Sequence, residues 1–198
     1  MNNTYIPSVL KEKLSLFINF FYGLIYLLIS IFLTISLLSF DINDNSFLTQ
    51  TNQPTSNIGG DIGSYVSSFI FYTFGLFGYA LIFFFLNISS FAFLKKKIRY
   101  LFIRLFLFFI SLILIPQTFL HINLNINFLD PIEDWGVISK NLYLIYQLNY
   151  ISYFLTFVGI VLFVACLNIH QLFKLPSLRM RSFAKNENKM PIYPKTKK

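Results

Sequence analysis

Residues 62–99 read IGSYVSSFIFYTFGLFGYALIFFFLNISSFAFLKKKIR. The first 33 of these carry no Asp, Glu, Lys or Arg, and the next five carry Lys95, Lys96, Lys97 and Arg99. As a single α-helix the uncharged run would be about 50 Å long, against about 30 Å of bilayer hydrocarbon. It predicts a membrane span stopped by a basic turn. The Gly- and Ser-rich start is expected at the interface and the helix is expected to tilt, which places the span proper at 65–91.

Working outward, Leu14–Phe40 is a second uncharged run of 27 residues. It is longer than the apolar core of a signal peptide, about 7–15 residues, and LTISLLSFD offers no small-residue cleavage site. Span 1 is therefore placed at 16–38. Beyond the basic turn, span 3 is placed at 100–120. Arg104 sits one turn inside its start, where it can snorkel back to the headgroups, and Pro116 is expected to kink its far end. Span 4 is placed at 151–172.

The segments between spans are polar. Residues 41–61 form one loop, rich in Asn, Thr, Ser, Gly and Pro. The next carries Asp130, Glu133 and Asp134. Residues 138–150 mix Lys140, Asn141, Gln147 and Asn149 with Leu, Ile and Tyr, and tyrosine favours the membrane–water boundary. This segment reads as an interfacial or partly re-entrant helix.

The sequence thus describes an all-α integral membrane protein. It has a cytoplasmic N-terminus (1–15), a four-transmembrane-helix bundle with an extra interfacial helix (16–172), and a disordered basic C-terminal tail (173–198). Composition agrees: 56% of the 198 residues are hydrophobic, 26 are Phe, mean hydropathy is +0.63, and only 12% are charged. A soluble globule of this size could not bury so much apolar surface.

Charge gives the orientation. Of the 16 basic residues, all but Lys140 fall at the N-terminus, in or just after the turn at 95–99, or in the tail. Asp41, Asp44, Asp61, Asp130, Glu133 and Asp134 fall on the other side. The positive-inside rule then puts both chain ends in the cytoplasm, as an even number of spans requires.

Catalytic motifs are missing. No phosphate-binding loop and no nucleophile elbow occurs. His121 and His170 belong to opposite ends of their spans, about 30 Å apart, and read as interface residues rather than a metal pair. Cys166 is the single cysteine, excludes an internal disulfide, and reads as packing. The middles of the spans hold no ionisable residue, which argues against a proton-coupled transporter but not against a passive channel. No enzymatic activity, cofactor or metal is expected.

Three features could carry function. Gly63, Ser67, Phe71, Gly75 and Gly78 step by helical spacing, so they would share one face of a straight helix. Together with Gly59 and Gly60 these small residues can let helices approach closely, inside the bundle or between copies of the chain. Gly75→Leu or Gly63→Leu is expected to disturb packing more than a change at Phe85, which is expected to face lipid. The tail, with Lys174, Arg179, Arg181 and Lys185, suits anionic membrane lipids or a tether to a cytoplasmic partner. Direct DNA contact is not expected, because no aromatic stacking platform accompanies the charge. Gly60-Asp61-Ile62-Gly63 is echoed by Gly136-Val137-Ile138-Ser139, 76 residues later. Two parallel hairpin repeats would explain the echo, and so would chance matching of apolar segments.

The third feature carries a family resemblance. Leu37-Leu38-Ser39-Phe40-Asp41-Ile42-Asn43-Asp44-Asn45-Ser46-Phe47 resembles the end of span 1 in the FtsK/SpoIIIE DNA translocases. Asn57-Ile58-Gly59-Gly60-Asp61-Ile62-Gly63-Ser64, followed by Phe69, Phe71, Phe74-Gly75 and Tyr79-Ala80, resembles that family's glycine-rich start of span 2. Trp135-Gly136-Val137-Ile138 resembles its shorter motif before the last span. Ser67-Ser68 departs from the Ala-Asp often found there. The resemblance covers residues 15–172. It implies an inner-membrane anchor that locates or assembles a DNA-segregation machine at the division septum of a bacterial cell. It also implies contact with division-site proteins and with a separate cytoplasmic translocase ATPase, since no motor sequence occurs among these residues. The alternatives are a small channel or transporter subunit, with Gln147, Asn149 and Ser152 as its polar cluster, and a structural cell-division protein that never held a motor.

Overall fold

The computed structural model describes residues 8–94, 100–124, 126, 129, 134–146 and 149–167. The basic turn 95–99, Asp130, Glu133, Gln147, His170 and the whole tail lie outside the described residues. Regular structure among the described residues is helical throughout: α1 (Ser8–Leu38), α2 (Gly60–Phe74), a 3-10 turn (Gly75–Tyr79), α3 (Ala80–Phe93), α4 (Leu101–Leu114), α5 (Gln117–His121), α6 (Val137–Tyr146) and α7 (Asn149–Leu167). Four stretches are long and apolar enough to cross a membrane: Lys13–Leu38, Gly60–Phe93, Leu101–His121 and Tyr150–Leu167. The chain is a multi-pass membrane protein, and α6 stands where the sequence places its extra helix.

α1 and α3 form one antiparallel hairpin. Lipid tails are as apolar as leucine, so burial alone does not join helices in a bilayer; close approach and buried hydrogen bonds do. Ser30 Oγ donates to the Ile82 carbonyl at 3.1 Å, and Ser89 Oγ to the Gly23 carbonyl at 2.9 Å. Gly23 itself lies against the Phe93 ring. Phe85 stacks beside Tyr26, with ring centroids 6.2 Å apart, so it faces α1 and not lipid as expected from sequence. Its position three residues beyond Ile82 keeps it near that serine contact.

α4 and α7 form the second hairpin. The helix of span 3 breaks as Pro116 predicts, with α4 ending at Leu114 and α5 resuming at Gln117. Proline has no N–H to donate, and backbone groups freed inside a membrane need other partners. Thr156 of α7 supplies them: its Oγ1 accepts the Thr118 N–H at 3.0 Å and donates to the Ile115 carbonyl at 3.2 Å. Buried Gln117 reaches the Ile113 carbonyl at 3.0 Å and the Ser139 carbonyl of α6 at 3.1 Å. Thr156→Val, which keeps the shape, should lower stability by about 1–3 kcal/mol. Thr156→Ser should behave nearly like the parent, and an unfolding titration in mixed micelles reads both variants.

The hairpins meet through large rings. Phe84 and Phe108, both fully buried, stack with centroids 4.2 Å apart, and Phe74 stacks on Phe109 at 5.5 Å. At the other end of α4, Arg104 is 7% exposed. Its Nε donates to the Cys166 carbonyl at 2.9 Å, its Nη2 bonds the same oxygen, and its guanidinium lies 5.5 Å from the Phe91 ring centre. The snorkelling expected from sequence is thereby corrected. Arg104 instead ties the start of α4 to α7 through the Cys166 carbonyl.

Span 2 is also corrected: it is not one tilted helix. Eight residues of straight helix rise about 12 Å. A Cβ on Gly78 would nevertheless lie 3.7 Å from the Ile70 carbonyl oxygen, and the Phe71 and Tyr79 rings are 5.3 Å apart. The chain turns sharply at Gly75, so that α2 folds back over the 3-10 turn. α3 runs alongside α1, while α2 crosses the end of α1 near Ser36. Gly63, Ser67, Phe71, Gly75 and Gly78 therefore do not form one straight stripe.

The first span of each hairpin is followed by a loop and then by a helix that opens at a glycine, α2 at Gly60 and α6 after Gly136. The echoed glycines occupy matching places. Gly60 begins α2 with φ +65°, and Gly136 immediately precedes α6 with φ +79°.

Candidate functional site

The polar side chains gather where α1 ends and the hairpins join. α1 stops at Leu38, which leaves last-turn carbonyls without donors. Asn57, buried and 18 residues or more away in sequence, supplies them. Its Nδ2 donates to the Ser36 carbonyl at 2.8 Å and the Ser39 carbonyl at 3.2 Å, and its Oδ1 accepts the Gly59 N–H at 2.8 Å. Asp44 fixes Asn57 in turn. Its carboxylate accepts the N–H groups of Ser56 at 2.7 Å and Asn57 at 2.9 Å.

Glycines allow the crossing. A Cβ on Gly59 would come 2.5 Å from Ser36 Oγ, and one on Gly63 would come 2.5 Å from Asn57 Oδ1. Ser67 Oγ donates to the Ser64 carbonyl and sits 3.5 Å from Asn57 Nδ2. Ser64 Oγ donates to the Asn45 carbonyl at 2.9 Å, and Ser68 Oγ accepts the Phe47 N–H at 3.2 Å. Loop 39–59 is thus sewn to α2 on one side and α1 on the other.

The second construction joins the hairpins at the break in span 2. Gly75 has φ +59° and ψ −146°. The Leu76 N–H, released from helical pairing by the turn, donates to the Asp134 carbonyl at 2.8 Å. A Cβ on Gly75 would run into that carbonyl and come 2.5 Å from the Gly136 nitrogen; one on Gly136 would come 2.5 Å from the Thr73 carbonyl. Two glycines pack backbone to backbone because nothing larger fits. The Asp134 carboxylate is spent inside its own loop, accepting the N–H groups of Ile126 at 2.9 Å and Leu129 at 3.1 Å. Trp135 stacks on Phe119 with centroids 4.9 Å apart, and its Nε1 donates to the Leu124 carbonyl at 2.7 Å.

The geometry brings Gly59, Gly63 and Ser67 together around Asn57, and places Gly75 at the Asp134–Gly136 loop. Gly78 lies against Ile70, and Gly60 has open space around it. Lys174, Arg179, Arg181 and Lys185 lie outside the described residues. Of the polar cluster, Ser152 is buried, and the side chain of Asn149 is outside the described residues. His121 sits among Tyr143 and Tyr153.

The family described as the 4TM region of DNA translocase FtsK/SpoIIIE matches residues 17–185, which takes in most of the first span, the other three and both constructions. The chain belongs to that family. No individual curated protein and no solved structure matches it. The FtsK/SpoIIIE 4TM region is the membrane part of those proteins, and the match is to that part rather than to a motor.

Within this 4TM region, sequence reasoning overlooked Asn57, Asp134 and Gln117. Asn57 enters that reasoning only within a family segment and Asp134 only for its charge, because an amide or a carboxylate in a polar loop gives no sign of a packing role. Gln117 did offer a signal, as a lone amide directly after a proline in an apolar run. Ser67-Ser68, the departure from the family pattern, bonds backbone groups of α2 and of the loop after α1.

Proposed function

We propose that this chain is the membrane anchor of an FtsK-like DNA translocase. It sits in the bacterial inner membrane with both ends in the cytoplasm, and it locates or assembles the machine at the division septum. The observation that carries the reading is the family match, which takes in most of the first span and the other three. The chemistry of the site supports it: the buried Asn57, Asp44, Asp134 and Gln117 side chains are spent on backbone groups, as suits a scaffold. In this reading the outer loops and lipid-facing helix surfaces meet division-site proteins or a second copy. Lys174, Arg179, Arg181 and Lys185 hold anionic lipid and the cytoplasmic ATPase.

Crosslinking and co-purification from native membranes test it. A translocase-type ATPase and division proteins should be recovered with the full chain, and the ATPase should be lost when residues 174–198 are deleted. Failure to recover any such ATPase with the tail intact would overturn the tether. Selective, saturable solute uptake by liposomes holding the purified protein would replace the anchor with a channel. Filamentation on depletion with normal chromosome partition would point to a division protein without a motor.

A further inference from the structure

The loop after α1 does more than close the bundle. Asn45, Gln50, Thr51 and Asn52 face Tyr65 of α2 across a cleft of about 490 Å³. That volume lies within the usual range of small-molecule sites, about 300–1,000 Å³, but such sites are mostly apolar. This lining is three carboxamides, one hydroxyl and one phenol, with no charged side chain.

The frame behind the lining is pinned. Ser46 N–H donates to the Thr49 carbonyl at 2.8 Å, Thr49 Oγ1 donates to the Ile42 carbonyl at 3.0 Å, and Ser64 Oγ holds the Asn45 carbonyl. The side-chain amides of Asn45, Gln50 and Asn52 and the Tyr65 hydroxyl take no part in it, and make no hydrogen bond to the described residues. Ile62, Phe69 and Tyr72 are exposed on the same helix as Tyr65. The cleft thus opens beside an apolar surface of the kind that meets the lipid boundary.

We infer that this cleft binds a neutral, hydroxyl-rich sugar on the side of the membrane where α1 ends. The cleft is broadly open to water, and its lining offers no charged side chain to hold a charged ligand there. A carboxamide offers donors and an acceptor together, which matches adjacent sugar hydroxyls that both give and accept. The Tyr65 ring supplies a flat face for the C–H side of a sugar ring. The sugar could arrive as the headgroup of a glycolipid or on a soluble glycan.

The full chain in phosphatidylethanolamine/phosphatidylglycerol nanodiscs can be titrated calorimetrically with an N-acetylglucosamine tetramer. The same discs doped with a diglucosyl diacylglycerol can be followed by native mass spectrometry. Saturable binding of the tetramer would identify a soluble glycan as the source. Retention of the glycolipid alone would identify a headgroup. In either case Tyr65→Ala and the double change Gln50→Ala, Asn52→Ala should weaken binding at least tenfold without moving the thermal midpoint. Binding of neither probe at millimolar concentration would overturn the inference. So would binding that both variants leave intact, or equal competition by inorganic phosphate.

Discussion

Gly75→Leu should leave little folded protein. The φ/ψ pair at this residue is essentially reserved to glycine, and a side chain there costs about 1–3 kcal/mol in backbone strain. The new Cβ would also collide with the Asp134–Gly136 backbone, which has no flexible end to swing away. Overpacking of that kind costs about 1–3 kcal/mol more. If the loop withdraws instead, the Leu76 N–H and the Asp134 carbonyl lose each other in a buried place, at about 1–3 kcal/mol. Either route gives a loss of about 4 kcal/mol. Gly60→Ala is the control, because Gly60 shares the positive φ but has open space around it. It should cost about 1 kcal/mol. Denaturation in mixed micelles reads both, and equal stability of the two variants would refute the argument.

Asn57→Ala should be the next most damaging change. It leaves the buried Ser36 carbonyl and the half-buried Ser39 carbonyl and Gly59 N–H without their partner. Buried groups left unpaired cost about 1–3 kcal/mol each, and partial relaxation of the loop should bring the total to about 3–4 kcal/mol. Asn57→Asp has almost the same shape and keeps an acceptor for the Gly59 N–H, but should not rescue the contacts to the two carbonyls. An ionised carboxylate only accepts, so it would point oxygen at two carbonyl oxygens. Protease cutting within residues 41–56 should rise in both variants, while the thermal midpoint falls. An aspartate variant as stable as the parent would mean that shape alone holds the loop.

The number of spans was legible because hydrocarbon thickness selects long uncharged runs and leaves no other use for them. The helix over residues 137–146 was legible because its tyrosines and amides suit a boundary. The break in span 2 was not. Gly75 and Gly78 fit a smooth packing stripe and a sharp turn equally well, and only a partner loop 60 residues away decides between them. The excess length of the run, 33 uncharged residues where about 20 suffice, was the usable sign, and a bend accounts for it better than a tilt. Arg104 was misread because snorkelling and bonding a carbonyl of a neighbouring helix begin from the same position in sequence. Asn57 was hidden because its value depends on the end of α1 lying beside it.

The Gly75–Gly136 junction also sets an order of events at the ribosome. Gly75 and Leu76 reach the membrane about 60 residues before Asp134 does. At about 5–20 residues per second, the first hairpin waits about 3–12 s with the Leu76 amide still lacking its acceptor. An unpaired amide is costly in lipid, so the nascent hairpin should hold its turn near the watery edge and settle only when the second hairpin is delivered. The last loop made is then the latch that seats the first helices. A chain stalled before Asp134 should stand out to membrane proteases as unfinished.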